Sequence, residues 1–170
     1  MVNKSLLLFI IIIISGCSSP KKIIISDSLD ATPVVTGSVI NSSAIERGGT
    51  LVLGAFKAGP GAEAGDETDQ LSLIMIKGIN DTLPQDNTHF TVQTDNQKDS
   101  DYLLDGYIED YGHKGHFAHL SVDGEIWFRE TGEKVFHFQT SSVIDLKHQD
   151  PKTVAYQVGV AIAHFIGSKQ

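Results

Sequence analysis

The chain has 170 residues, enough for one domain with a hydrophobic core of its own. Its 21 Asp and Glu residues outnumber 13 Lys and Arg residues, and the net charge of -8 argues against nucleic-acid binding and against adhesion by charge to anionic lipid headgroups. The single cysteine excludes an internal disulfide framework, so the domain must fold on its core alone.

The amino terminus is typical of a secretory leader. Lys4 precedes an apolar run from Leu6 to Ile14, which is shorter than the ~20 residues that a spanning helix needs. The stretch Ile14-Ser15-Gly16-Cys17 resembles the lipobox of bacterial lipoproteins. This resemblance implies cleavage between Gly16 and Cys17, lipidation of the Cys17 sulfur and acylation of the new amino terminus. The alternative is an ordinary signal peptide with an incidental cysteine.

Residues 1–16 are therefore predicted to be a signal peptide and residues 17–49 a lipidated, flexible tether rich in Ser, Thr, Asn, Gly and Pro. Within the tether, Val34-Val35 is an isolated apolar island that could be a short edge strand. Ser18 follows the cysteine, where an Asp would imply retention in the inner membrane under the enterobacterial sorting rule. We therefore expect residues 50–170 to form a periplasmic domain anchored to the bacterial outer membrane.

The first half of this domain is predicted to contain two strands and a helix. Residues 51–56 are an apolar run typical of a buried strand, followed by a Gly/Pro/Ala loop over residues 58–65. Asp66 is predicted to cap a helix that Pro84 ends. Residues 89–94 alternate in polarity, which predicts the second strand.

Three longer strands and a helix complete the predicted domain. The strands span Tyr102 to Tyr111, His119 to Arg129 and Lys134 to Ile144. Asp150-Pro151 is a cap followed by a proline at the first helical position, and Gly167 ends this last helix. The predicted order is β-α-β-β-β-β-α, an α+β fold with a mainly antiparallel sheet and two helices on one face.

The turn between the last two strands predicts their register. Residues 130–132 suit a three-residue hairpin loop with a left-handed glycine at the third position. This register places Ile126 opposite Phe136 and Gly124 opposite Phe138, so that all the apolar positions share one face. A slip of one residue would turn those side chains to the other face.

Two motifs carry a family resemblance. Asp101-Tyr102-Leu103-Leu104-Asp105-Gly106 and Gly132-Glu133-Lys134-Val135-Phe136, together with the order of elements over residues 50–167, resemble a group of small envelope domains. The group comprises the curli secretion lipoprotein CsgG, the penicillin-binding-protein activator LpoB and the TolB amino-terminal domain. The resemblance implies a non-enzymatic periplasmic lipoprotein domain that docks another protein. Nothing matches the membrane-inserting strands of the curli pore, so no pore is implied.

Three histidines invite a metal site, because imidazole is a common zinc ligand. On a strand, His113 and His119 would share a face while His116 points away, and Gly115 argues against a regular helix, although a loop could still gather the three. We interpret them as solvated residues of the turn between two strands. No metal ligand set and no cofactor are predicted.

The sequence also predicts no catalytic set. Ser141 and Ser142 lie on a strand without the Gly-x-Ser-x-Gly elbow of many hydrolases. The glycine-rich loop over residues 59–65 lacks the Gly-Lys-Ser/Thr ending of a phosphate loop. Glu109 and Asp110 are adjacent on a strand and are expected to point to opposite faces, which is unsuited to acid/base partnership.

Strand alternation instead predicts an aromatic face on the side of the sheet away from the helices. Trp and Tyr lose little entropy on binding and dominate interface energetics, so this face is a candidate docking surface. The alternative is that these side chains only cover the sheet or pack beneath the tether. The carboxylates around them favour a basic partner. The candidate docking residues are Tyr107, Tyr111, Trp127, Arg129 and His137.

Three functions agree with these observations. The first is a non-catalytic adaptor or activator that docks an envelope protein in the periplasm. The second is an auxiliary lipoprotein of an ABC-type lipid-transport system, which an apolar groove deep enough for an acyl chain would favour. The third is an enzyme of unrecognised type, which a pocket holding perturbed titratable groups would favour.

Overall fold

The computed structural model describes residues 33–86, 89–93 and 99–168. The predicted leader, the lipobox with Gly16 and Cys17, and the first half of the predicted tether lie outside the described residues. The described part forms six strands and three helices. In chain order these are β1 (Val34–Val39), α1 (Ser42–Arg47), β2 (Gly49–Ala62), α2 (Asp66–Thr82), β3 (Phe90–Gln93), β4 (Tyr102–Lys114), β5 (Phe117–Phe128), β6 (Glu133–Asp145) and α3 (Pro151–Gly167).

The strands form one mixed sheet in the order β1-β6-β5-β4-β2-β3. β2 runs parallel to both β3 and β4, and the other neighbouring pairs are antiparallel. The predicted α+β class is confirmed. The predicted order lacks the strand β1 and the short helix α1, which precede the expected start of the domain at residue 50.

The structure corrects the expectation of a flexible tether as far as residue 49. β1 pairs with β6, with Val39 opposite Phe136, so the Val34-Val35 island is part of an edge strand. Ala44 and Ile45 of α1 are buried in the core. The few apolar residues of this segment gave no sequence signal of order. The segment is ordered because its backbone pairs with β6, which follows about a hundred residues later in the chain.

The predicted glycine-rich loop is also corrected, because β2 continues through it. A Cβ on Gly59 or Gly61 would lie 3.0 or 2.6 Å from the Glu109 backbone, so glycine permits the close approach of β2 to β4. Beyond Val52, β3 no longer pairs with β2. Pro60, which has no backbone N–H, therefore costs no hydrogen bond to β3.

The two long helices differ in how they begin. Asp66 is the first residue of α2 rather than its cap, and the cap residue Gly65 makes no side-chain hydrogen bond. At α3, the Asp150 side chain accepts a hydrogen bond from the Thr153 N–H at 3.1 Å, and Pro151 follows it, as predicted. The acidic first turn of α2 still complements the helix dipole.

The helices α2 and α3 approach each other closely over the inner side of the sheet. A Cβ on Gly159 would lie 2.1 Å from the Met75 carbonyl oxygen, and one on Gly78 would lie 2.4 Å from the Tyr156 carbonyl oxygen. Side chains from all three helices and from the inner positions of the strands form one hydrophobic core. Among the described residues, no helix has the length and apolar character needed to cross a membrane.

Candidate functional site

The strands β1, β6, β5 and β4 present their polar positions on the side of the sheet away from the helices, which we call the outer face. Residues that lie opposite each other on neighbouring strands share a face, so the register gives the rows of side chains across it. One row is Thr36, Gln139, Asp123, Tyr107 and Lys57, and the next is Ser38, His137, Glu125 and Asp105.

Four of the five predicted docking residues lie at or beside this face. The Tyr107 side chain is 49% exposed. Trp127 is half-buried, and the Lys134 ammonium lies 5.1 Å from the centre of its ring. His137 is half-buried in the middle of β6. Arg129 follows the end of β5, where its guanidinium donates a hydrogen bond to the Ser100 hydroxyl.

The structure corrects the placement of Tyr111. A β-bulge between Ile108 and Asp110 interrupts the alternation of β4, so Tyr111 points into the core and is only 9% exposed. Its hydroxyl donates a hydrogen bond to Glu67 Oε1 at 2.8 Å. Burial raises the pKa of the Tyr111 phenol, and the neighbouring Glu67 raises it further.

The same bulge corrects the expected orientation of Glu109 and Asp110. Both reach the outer face: Asp110 lies opposite Ser121, and Glu109 lines an outer-face cavity of about 340 Å³ that Ser121 also lines. Within the described part of the chain, the face therefore carries more carboxylates than ammonium groups. Its carboxylates are Asp105, Glu109, Asp110, Asp123 and Glu125, and its lysines are Lys57 and Lys134.

One polar cluster occupies the centre of the outer face. His137 Nε2 lies 3.1 Å from both carboxylate oxygens of Asp123, and Gln139 Nε2 donates to Asp123 Oδ2 at 2.6 Å. Lys134 forms an ion pair with Glu125. One donor atom each from Asp123, Glu125 and His137 lie within 4.8 Å of one another. Spacing along the sequence gives no sign of the cluster, but the predicted register of the last two strands already implies that Glu125 lies opposite His137.

A second polar cluster joins three strands. His119 Nδ1 lies 3.0 Å from Asp110 Oδ2, and His119 Nε2 lies 2.8 Å from the Ser141 hydroxyl. This is the order of carboxylate, imidazole and hydroxyl found in serine hydrolases. Sequence reasoning missed it because the bulge brings Asp110 into reach.

Among the residues that the structure describes, the strand amides beside the second cluster are not arranged as an oxyanion hole. Ser141 lies inside β6 and is paired with Val34 on one side and Ser121 on the other. In a strand that is paired on both sides, the backbone N–H groups donate hydrogen bonds to the neighbouring strands. An oxyanion hole instead needs N–H groups that point at the substrate. The arrangement is therefore suited to linking strands more than to acyl transfer.

The histidines His113, His116 and His119 are used separately. The His113 ring lies 5.3 Å from the Tyr111 ring, edge to face, and His116 lies 4.0 Å from the Phe117 ring. His119 belongs to the cluster with Asp110 and Ser141. The structure does not gather them around a common point.

The fold resembles solved structures of low sequence identity. No protein-family model matches the chain, and no curated protein matches it significantly. A PelC dodecamer from Paraburkholderia phytofirmans is 13% identical with a TM-score of 0.55, covering 82% of this chain and 99% of that one. A PelC variant from the same organism is 14% identical with a TM-score of 0.57, covering 81% and 99%. These similarities show that the chain shares the fold of PelC.

Proposed function

We propose that the chain is a lipid-anchored, non-catalytic envelope lipoprotein that docks a partner protein on its outer face. The observation that carries this proposal is the pair of aromatic side chains Tyr107 and Trp127 among five carboxylates on one side of the sheet. Aromatic side chains in such a setting supply contact area at low entropic cost, and surrounding charges select and steer the partner.

The occupant that fits this face is a basic protein surface. Two outer faces of this chain would repel each other, because the described part of each carries five carboxylates against two lysines, with Arg129 beside the face. A basic partner would meet opposite charge, and its arginines could stack on Tyr107 and Trp127. The partner is therefore a different protein, and its association should weaken as salt rises.

Self-association is a separate question that the PelC similarity raises. The two PelC structures are dodecamers, and this chain shares their fold at low identity. Like-charge repulsion directs copies of this chain to meet through surfaces other than the outer face. A mixed role, with copies associating elsewhere and a basic partner on the outer face, agrees with both observations.

The docking proposal is tested by photo-cross-linking in cells with the full-length lipoprotein. A cross-linking residue at Lys57, beside Tyr107, should capture a basic protein, and the same labelled protein carrying Tyr107→Ala and Asp105→Lys should lose that product. Leu73→Ala is the matched control, because Leu73 is 66% exposed on α2, on the opposite side of the sheet. Capture unchanged by the outer-face substitutions, or insensitive to salt, would contradict the proposal.

The anchor is tested separately by metabolic labelling with a palmitate analogue. The wild-type protein should take up the label and fractionate with outer membranes. The variant Cys17→Ser should neither take up the label nor fractionate with outer membranes as a cleaved protein, because the lipobox-like stretch would lose its acceptor sulfur. An unlabelled wild-type protein would contradict the anchor and leave the docking proposal untouched.

A further inference from the structure

We propose that Asp123, Glu125 and His137 bind a divalent transition-metal ion of the zinc type on the outer face. One imidazole nitrogen and two carboxylate oxygens, all within 4.8 Å of one another, are a donor set that suits Zn²⁺ and its neighbours in the first transition row. This inference does not depend on the docking proposal, since the donors are a property of this chain alone.

The sheet presents the three donors from fixed backbone positions. Asp123 and Glu125 are two residues apart on β5, so they share a face, and His137 of β6 lies directly opposite Glu125. Neighbouring strands hold these positions without any loop. A site built on strands is more precise than one built on a loop, which reduces the ordering cost of ligation.

The donor atoms lie within 4.8 Å of one another, so side-chain movements must close some of these separations. Ligands at the usual zinc distances of about 2.0–2.2 Å lie roughly 3.3 Å apart around a tetrahedral ion. His137 Nε2 and the Asp123 oxygens are 3.1 Å apart, which is close to that separation. All three side chains are half-buried, so an ion bound here would be partly shielded from water and would complete its coordination with solvent.

Lys134 competes with a metal ion for this site. Its ammonium pairs with Glu125 and so neutralises part of the charge of the two neighbouring carboxylates. The same ammonium already lies 5.1 Å from the centre of the Trp127 ring, so it can keep a cation–π contact after an ion displaces it from Glu125. Lys134 therefore lowers metal affinity, and its removal should raise it.

The experiment is titration of the full-length protein in detergent with Zn²⁺ by calorimetry and with Co²⁺ by visible absorption. One ion per chain is expected, with a Co²⁺ spectrum typical of low coordination number. His137→Ala and Asp123→Asn should each weaken binding at least tenfold, while Lys134→Met should strengthen it several-fold. His119→Ala is the matched control, because His119 also pairs with an aspartate on the outer face.

Three results would overturn the site. These are no Zn²⁺ binding in the wild type, binding unchanged by His137→Ala, and binding lost equally in the His119→Ala control. Calcium binding of equal strength that ignores His137 would show general attraction to an acidic surface instead. Circular dichroism of each variant separates loss of the site from loss of the fold, and Lys134→Met gives a gain of affinity that unfolding cannot imitate.

Discussion

Gly124 of β5 lies directly opposite Phe138 of β6, and the Phe138 ring occupies the space that a side chain at Gly124 would need. A Cβ built on Gly124 would lie 2.2 Å from Phe138 Cζ. Gly106 of β4 lies on the other side of Gly124, so two glycines on adjacent strands leave room for large rings in the core. Gly106 and Gly124 are therefore required for the packing of the core, because a side chain at either position would occupy space that the rings fill.

The first prediction follows from that contact. Gly124→Ala should destabilise the fold by about 1–3 kcal/mol, because the added methyl forces Phe138 out of its position. Urea denaturation gives the free energy of unfolding directly. Gly112→Ala is the matched control, since its Cβ would meet only Asp110 Oδ1, at an ordinary 3.5 Å. Equal stability of the Gly124→Ala variant and the wild type would contradict this packing of Phe138 against Gly124.

The hairpin of β5 and β6 shows what the sequence could predict. Ile126 lies opposite Phe136 and Gly124 opposite Phe138, as predicted, and Gly132 has the expected positive φ of 69°. The predicted three-residue loop is wrong, because a register shift after Ile126 pairs Phe128 with Glu133 and leaves residues 129–132 between the strands. The apolar alternation thus predicts the register in the middle of the strands correctly, whereas the bulge beside the turn changes the length of the loop.

The errors arose where long-range pairing or a bulge decided the outcome. Tyr111 was placed on the wrong face because one inserted residue in β4 reverses the alternation after it, and the sequence carries no mark of a bulge at that position. The cluster of Asp110, His119 and Ser141 was missed because of the same bulge, whereas the predicted register of β5 and β6 already implied that Glu125 lies opposite His137. Asp123 and His137 are 3.1 Å apart in space but come from different strands.

The second prediction concerns the added amino-terminal elements. Ile45 of α1 is 1% exposed, so Ile45→Ala should cost about 2–5 kcal/mol, the usual cost of emptying a buried aliphatic site. Ile40→Ala is the matched control, because Ile40 is 53% exposed and its loss should change stability by less than ~0.5 kcal/mol. A chain that begins at residue 50 and keeps wild-type stability would show that β1 and α1 are dispensable.

The third prediction is a loss of stability at alkaline pH. Burial, and then Glu67, raise the pKa of Tyr111 above that of an unfolded tyrosine, which ionises near pH ~10. Above that pH the unfolded chain loses the proton while the folded chain keeps it, so stability is complete below pH ~10 and falls as the pH rises further.

Tyr111→Phe should reduce this fall, as measured by urea denaturation between pH 8 and 11. Burial also raises the pKa of Tyr102, whose hydroxyl donates to the Ala44 carbonyl, so part of the alkaline loss should remain. Glu67→Gln should have the smaller effect, because burial is the larger cause for Tyr111. A Tyr111→Phe variant with the full wild-type slope would refute this assignment.

The fourth prediction decides between a docking module and an enzyme. The cluster of Asp110, His119 and Ser141 has the carboxylate, imidazole and hydroxyl order of a serine hydrolase. However, the strand that carries Ser141 is paired on both sides, so its backbone N–H groups donate to neighbouring strands. Loss of a single oxyanion-hole donor costs about 10²–10³ in rate. A fluorophosphonate probe should therefore leave Ser141 unlabelled, and the protein should hydrolyse p-nitrophenyl acetate no faster than its Ser141→Ala variant.

The cluster should instead contribute to stability, because His119 links β5 to β4 and β6 through hydrogen bonds to two side chains. Ser141→Ala should lower the free energy of unfolding by about 0.5–1.5 kcal/mol, the usual net value of one hydrogen bond. Probe labelling at Ser141 that disappears in both the Ser141→Ala and His119→Ala variants would show an activated serine. That result would remove the non-catalytic part of the proposed function, because the outer face would then carry a reactive site in addition to its docking residues.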